Sequence, residues 1–321
     1  MSPPGFTPIL LSSDALRAEV LPYGATLADL RFQGGPRSLV LSFEDPQDHA
    51  RVPIWAGAIA GPVANRVRAG RVEIGAEHYQ MPLNEPQASL HSGADGLHAQ
   101  NWAVAAQSAS SVTLTCDLPH LWGGLPGNRH FEVRYRLAET TLRLEITART
   151  DLTTPVNIAA HPYWRLDNHL DITRHRLEIA ASTYLPTDAH TLPLDAPVPV
   201  AGTDFDFRTP KPVLKDQGLD VNFCLGTRML AAPRPVARLC GQDGTALEIA
   251  TTTPGLQVYN GAFLPSADSA LRGNARLAPY TGIALEPQHW PDALTHRHFP
   301  SILLAPEAQY RQTSEFTLTR P

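Results

Sequence analysis

Apolar and polar residues alternate in short runs along most of this chain, and turn signals break the runs before any helical stripe develops. The clearest case lies mid-chain. Phe131, Val133, Tyr135 and Leu137 alternate with Glu132, Arg134 and Arg136, and Leu142, Leu144, Ile146 and Ala148 alternate with Arg143, Glu145 and Thr147. A period of two sends one set to a core and the other outward, and the short link Ala138-Glu139-Thr140 predicts an antiparallel hairpin. Similar alternation recurs over 9–32, 71–75, 102–106, 111–118, 176–180, 247–250 and 315–318. Pro22-Tyr23-Gly24, Gln33-Gly34-Gly35 and Asp243-Gly244 supply turns between runs. Only 45–58, richer in proline and charge, reads as a loop or a short helical turn. The pattern predicts an all-β, antiparallel chain. It never pauses at a linker and contains no repeat, which favours one large sandwich domain over residues 1–321.

Composition changes this picture little. Thirty prolines and 22 glycines in 321 residues disfavour long helices. A net charge of -5 without a basic block excludes nucleic acid and anionic membrane as expected partners. The N-terminus has no basic and apolar leader pattern, and no apolar run has bilayer length. Cys116, Cys224 and Cys240 are odd in number and widely spaced, which predicts free thiols and a cytoplasmic setting.

Two stretches carry the candidate chemistry. In Ile283-Ala284-Leu285-Glu286-Pro287 an apolar run meets a carboxylate, and in Ile158-Ala159-Ala160-His161-Pro162 an apolar run meets an imidazole. In both, the following proline is expected to stop the ladder and leave the titratable residue at a strand end. A carboxylate and an imidazole facing one cleft make an acid/base couple, with unperturbed pKa values of about 4.3 and 6.5. Each residue also has a plainer reading, a solvated edge glutamate or a satisfied core histidine. Asn65-Arg66 is a polar pair in an apolar frame, and Arg66 either forks onto vicinal hydroxyls or pairs with a carboxylate. His91 sits in the glycine-containing loop Leu90-His91-Ser92-Gly93, and Asp220 in Gly218-Leu219-Asp220-Val221-Asn222-Phe223. Trp290, two residues past Gln288, offers a flat face suited to a sugar ring. His289, His296 and His298 cluster near the end but lack a carboxylate at a fitting spacing, so no metal is expected.

Taken together, several stretches resemble the aldose 1-epimerases, also called galactose mutarotases. The resemblance rests on Ala64-Asn65-Arg66-Val67-Arg68-Ala69-Gly70-Arg71, Leu90-His91-Ser92-Gly93, and Pro155-Val156-Asn157 with His161-Pro162-Tyr163-Trp164. It continues through Gly202-Thr203-Asp204-Phe205-Asp206-Phe207-Arg208, Gly218–Phe223 and Gly255-Leu256-Gln257-Val258-Tyr259, in the family's order over nearly the whole chain. It departs from the family's pattern at Gly61-Pro62-Val63, at Ser92 and at Ala160-His161-Pro162. The resemblance implies a large antiparallel β-sandwich, the galactose mutarotase-like supersandwich. It makes Glu286 the general base and His161 the general acid. It places Arg66, His91 and Asp220, with Asn65, on sugar hydroxyls or on the catalytic pair, and makes Gln288 a lesser candidate for the wall of the site.

The implied reaction needs no cofactor. Glu286 takes the proton of the anomeric hydroxyl of a free aldose such as glucose or galactose while His161 protonates the ring oxygen. The ring opens, the aldehyde turns about C1–C2, and closure reverses the roles. Three other readings compete: an epimerase of a hexose 6-phosphate using Arg66, Arg68 and Arg71, a non-catalytic sugar-binding module, and a metal-dependent isomerase built on the three late histidines. The expected partner is a small sugar, and the expected assembly a monomer or homodimer.

Overall fold

Strands Arg129–Ala138 and Thr141–Thr150 pair in antiparallel register, as the alternation predicts, and Glu139 takes the left-handed conformation that the tight link requires. The computed structural model describes residues 5–273 and 275–321. This hairpin sits in a nine-stranded sheet that begins at Lys211–Pro212 and ends at Ala103–Gln107, with the last strand of the chain, Tyr310–Thr319, inserted between Ala246–Thr251 and Thr141–Thr150. A six-stranded sheet runs Tyr163–Trp164, Ile283–Gln288, Gly255–Tyr259, Asp220–Cys224, Thr183–Leu185, Val198–Pro199. Among the described residues, the pairings within both sheets are antiparallel. An N-terminal sheet of Ile9–Ser12, Leu16–Leu21 and Thr26–Phe32 adds a third piece.

One buried apolar cluster draws on all three sheets, from Ile9 to Leu318. Phe131, Val133 and Tyr135 enter it from the large sheet, and Val221, Phe223, Leu256, Val258, Ile283 and Leu285 enter it from the six-stranded sheet. Those six residues take alternate positions on three neighbouring strands, so they occupy one face. The opposite face of the same strands carries Asp220, Asn222, Gln257, Tyr259, Glu286 and Gln288. The α-helix Asp48–Arg51, a single turn, falls in the segment expected to be loop or helical turn. Among the described residues, no helix is long and apolar enough to cross a membrane.

One expectation about these strands needs correcting. The ladder does not stop at Pro287: it continues to Gln288, with Pro287 opposite Leu256 and Gln288 opposite Gly255. Strand Tyr163–Trp164 covers the other flank only at Ala284 and Ile283. At Pro287 that flank has no strand to receive an N–H, and proline is tolerated as it is on an edge. At His161 the expectation holds. Strand Ala159–Ala160 ends just before His161, whose N–H still donates to Ala58 O and whose carbonyl accepts from Gly57 N–H, and strand pairing resumes at Tyr163.

Candidate active site

The register of the six-stranded sheet sets the distance between the two titratable residues. Tyr163 pairs with Ala284, and extending that register by two residues brings His161 opposite Glu286. Their Nε2 and Oε1 atoms are 3.5 Å apart, and both side chains are almost wholly buried. Across the next ladder Glu286 faces Gln257, whose amide donates to Asp220 Oδ1 at 2.7 Å. These groups line a cavity of about 350 Å³ whose far wall holds Asn65, Arg66, Glu85, His91 and Trp55.

That far wall rests on a short ladder in which Arg66 pairs with Leu90. Asn65 and His91 close it, both in the left-handed conformation, with φ of 62° and 52°. Non-glycine residues rarely adopt this region, and such residues concentrate where a site demands a particular orientation. Asn65 Oδ1 accepts from the N–H of the next residue, Arg66, at 2.8 Å, and asparagine is among the non-glycine residues that best tolerate the left-handed region. The Asn65 N–H donates to His91 Nδ1 at 3.1 Å. That bond fixes the tautomer: the lone pair is on Nδ1 and the proton on Nε2, so His91 is a neutral hydrogen-bond donor. Trp55, also left-handed, lays its ring 4.8 Å from the His91 ring and 6.2 Å from that of His161.

Arg66 takes the carboxylate-paired reading left open by the sequence. Its Nε and Nη2 fork onto Glu85 at 2.7 and 2.9 Å, and Nη1 remains 3.9 Å from Asp220 Oδ2. Among the described residues it is the one Arg or Lys on the cavity wall, beside the carboxyl groups of Glu85, Asp220 and Glu286. Arg68 does not line the cavity and lies near Asp188 and Asp292, at 3.6 and 3.4 Å, and Arg71 is on the exposed strand Arg71–Ile74. Among the described residues, Arg66, Arg68 and Arg71 are therefore not gathered at the cavity as a phosphate would need.

Electrostatics revise the simple picture of the couple. Burial, followed by the charge of Asp220, raises Glu286 well above the usual carboxylate range, against the pull of Arg66. Burial, followed by the proximity of His98, lowers His161 to about 4. The two groups are pushed past each other instead of staying near 4.3 and 6.5. Burial also raises Asp220, while Arg66 and Gln257 hold it down. Glu286 Oε2 and His161 Nδ1 are buried without a hydrogen-bond partner.

Two candidates fall outside the cavity. Gln288 shares the polar face with Glu286 but lies one row deeper, fully buried beside Gly255 and off the cavity wall. Trp290 packs edge-on against Phe299 in a satellite cluster with Leu185 and Cys224, and its indole N–H donates to Pro254 O. Trp55, Tyr163, Tyr259 and Phe263 are aromatics that line the cavity instead. The late histidines also separate. The backbone N–H of His289 donates to Asn157 Oδ1 and its ring is buried elsewhere, whereas His296 and His298 meet Asp195. Donor atoms of His91, His161 and Glu286 also lie within 4.8 Å of one another, but His91 presents an N–H there, which suits a hydroxyl better than a metal ion.

Glu85, Trp55, Tyr163, Gln257 and Tyr259 line the cavity without having been singled out as site residues. Gln257 had a signal, a polar residue between Leu256 and Val258, in the manner of Glu286 after Leu285. Glu85 and Trp55 come from loops and had none.

A family model described as aldose 1-epimerase matches residues 8–317. A galactose mutarotase of Rattus norvegicus is 34% identical over 320 residues, covering 95% of this chain and 92% of that protein. An aldose 1-epimerase of Escherichia coli K12 is 30% identical over 315 residues, covering 92% and 90%. The crystal structure of a galactose 1-epimerase from Lactobacillus acidophilus superposes with a TM-score of 0.84 at 28% identity, covering 98% of this chain and 94% of that one. This chain belongs to the aldose 1-epimerase family.

Proposed function

We propose that Glu286 and His161 carry the anomer exchange of this aldose 1-epimerase, acting on a free hexose such as glucose or galactose. The observation that supports the pair most directly is their 3.5 Å approach inside a buried cavity. The anomeric and ring oxygens hang on the same carbon, so the groups that serve them must also be neighbours. Glu286 takes the proton of the anomeric hydroxyl, His161 gives one to the ring oxygen, and the bond between C1 and the ring oxygen opens. After rotation about C1–C2 the pair reverses its roles. The pair begins and ends with one proton, so no exchange with solvent is needed during turnover.

Productive binding requires the ionised carboxylate and the imidazolium, and burial acts against both charged forms. Arg66 favours the ionised carboxylate, and hydroxyl donors on the sugar give the unpartnered Oε2 a hydrogen bond. His91 Nε2–H and Arg66 Nη1 donate to sugar hydroxyls, Asp220 accepts from one, and Asn65 shapes the wall. Because the groups are coupled, the limbs of the pH–rate profile belong to the pair. The profile is bell-shaped, with both apparent values belonging to the Glu286–His161 pair.

A single guanidinium on the cavity wall among the described residues, already forked onto Glu85, favours an uncharged sugar over a hexose 6-phosphate. Three free thiols support a cytoplasmic setting. The test is polarimetry on freshly dissolved α-glucose, α-galactose and glucose 6-phosphate. Faster approach to equilibrium rotation for a free hexose is the expected result. Acceleration of the phosphosugar alone would transfer the proposal to that substrate, and tight binding without acceleration would leave a sugar-binding module.

A further inference from the structure

Outside the cavity, His296 lies between two carboxylates. Its Nδ1 is 3.1 Å from Asp195 Oδ1, and its Nε2 is 3.7 Å from Asp292 Oδ2. A neutral imidazole has one N–H and one lone pair. In either tautomer, one lone pair therefore faces an anionic oxygen. The inner carboxylate is fixed in place. The Asp292 side chain is fully buried, and its Oδ1 accepts from the Arg68 N–H at 2.8 Å and the Thr295 hydroxyl at 2.9 Å. Both Nε2 of His296 and Oδ2 of Asp292 are buried and lack a hydrogen bond. The favourable arrangement turns Nε2–H toward Asp292. The Nδ1 lone pair then points at Asp195, and the arrangement calls for a positive charge between them.

A second imidazole stands at that position. Donor atoms of Asp195, His296 and His298 lie within 4.8 Å of one another, and His298 Nε2 hydrogen-bonds the Asp195 carbonyl. Phe299 fixes both rings, stacking on His296 with centroids 4.5 Å apart and meeting His298 edge-on at 4.9 Å. Phe299 is itself seated on Trp290. We propose that Asp195, His296 and His298 bind a divalent transition-metal ion of the zinc class, with Asp292 orienting His296 from behind. Two imidazoles and a carboxylate suit zinc, cobalt or nickel better than calcium or magnesium. A ligating histidine that turns its other N–H to a carboxylate is the usual supporting arrangement for such ions.

The ion would tie two separate loops together. Asp195 lies between strands Thr183–Leu185 and Val198–Pro199, and the histidines follow strand Ile283–Gln288. The first loop already leans on Arg68 through Asp188 and the Pro193 carbonyl. None of the three ligands lines the catalytic cavity, so the role is structural and does not depend on the epimerase reading.

The test uses tag-free full-length protein stripped of metal, titrated with zinc by calorimetry and melted with and without it. The expected result is one zinc ion per chain, a higher Tm with zinc, and an unchanged mutarotation rate. Asp195→Ala and His298→Ala alter exposed residues and leave the fold intact; each should weaken zinc binding by about tenfold or more and reduce the Tm gain. Zinc affinity equal to wild type in both variants overturns the proposal, since the ion then sits elsewhere, the His91–His161–Glu286 group included. Binding only at millimolar zinc overturns it too, and leaves a proton as the charge between Asp195 and His296.

Discussion

The two faces of the six-stranded sheet are made from the same strands and are almost equally dry. Leu285 is 0% exposed and its neighbour Glu286 is 2% exposed, yet they face opposite ways. The inner face, with Val221, Phe223, Leu256, Val258, Ile283 and Leu285, joins the main core. The outer face carries carboxylates and amides, several of them without partners: Asn222 Oδ1, Glu286 Oε2 and both polar atoms of Gln288. Burial stabilises the first face and penalises the second. The comparison shows that the site is held together by the face it does not use. The packed inner face keeps the ladders in register, and the register brings Glu286 against His161 where neither would settle by itself.

Substitutions on the two faces should therefore differ in kind. The largest stability effect belongs to the inner face. Leu285→Ala removes a fully buried side chain and should cost about 2–5 kcal/mol in chemical denaturation. A cost close to that of an exposed position would break the distinction. Next comes acid sensitivity. His49, His98, His161 and His289 are each lowered by burial to about 4 from the ordinary 6.5. A group whose folded value is depressed gives its full stability above the unfolded value and loses it as pH falls through the folded one. Each of these histidines withdraws up to about 3 kcal/mol over that window. Circular dichroism should show unfolding between pH 6.5 and 4, and a protein still fully folded well below pH 4 would contradict the shifts. The smallest effect belongs to Gln288→Leu. It replaces two unsatisfied polar atoms, should change stability by no more than about 1 kcal/mol in either direction, and should leave mutarotation untouched. A large loss of activity would return Gln288 to the site.

The sequence made the inner face legible because period two needs only local information: Phe131 to Leu137 and Leu142 to Ala148 read directly as a hairpin. Glu286, His161, Arg66, His91, Asp220 and Asn65 were legible as polar residues set into apolar frames, and the cavity brings all six together. Glu85 was not, because its partner Arg66 is 19 residues away across a loop whose path depends on the packed fold. Trp290 misled for the same reason. It follows the strand of Glu286 in sequence, but the chain turns it toward Phe299, while Trp55 arrives from a distant loop. The crossing of the two pKa values was also out of reach, since it depends on burial.

Glu286→Gln, followed by polarimetry and by thermal melting on the same preparation, tests the account most directly. Glutamine keeps the shape and removes both the base and the buried ionisable group. The raised folded pKa of Glu286 means that the wild type is most favoured below the unfolded value near 4.5 and loses that advantage as pH rises. Glu286→Gln should therefore melt at or above the wild-type temperature at neutral pH, with any gain shrinking toward pH 4.5. Its kcat should fall by about 100-fold or more with KM little changed. Wild-type mutarotation by a folded Glu286→Gln protein would contradict the account, and the outer face of the sheet would then have no catalytic carboxylate at that position.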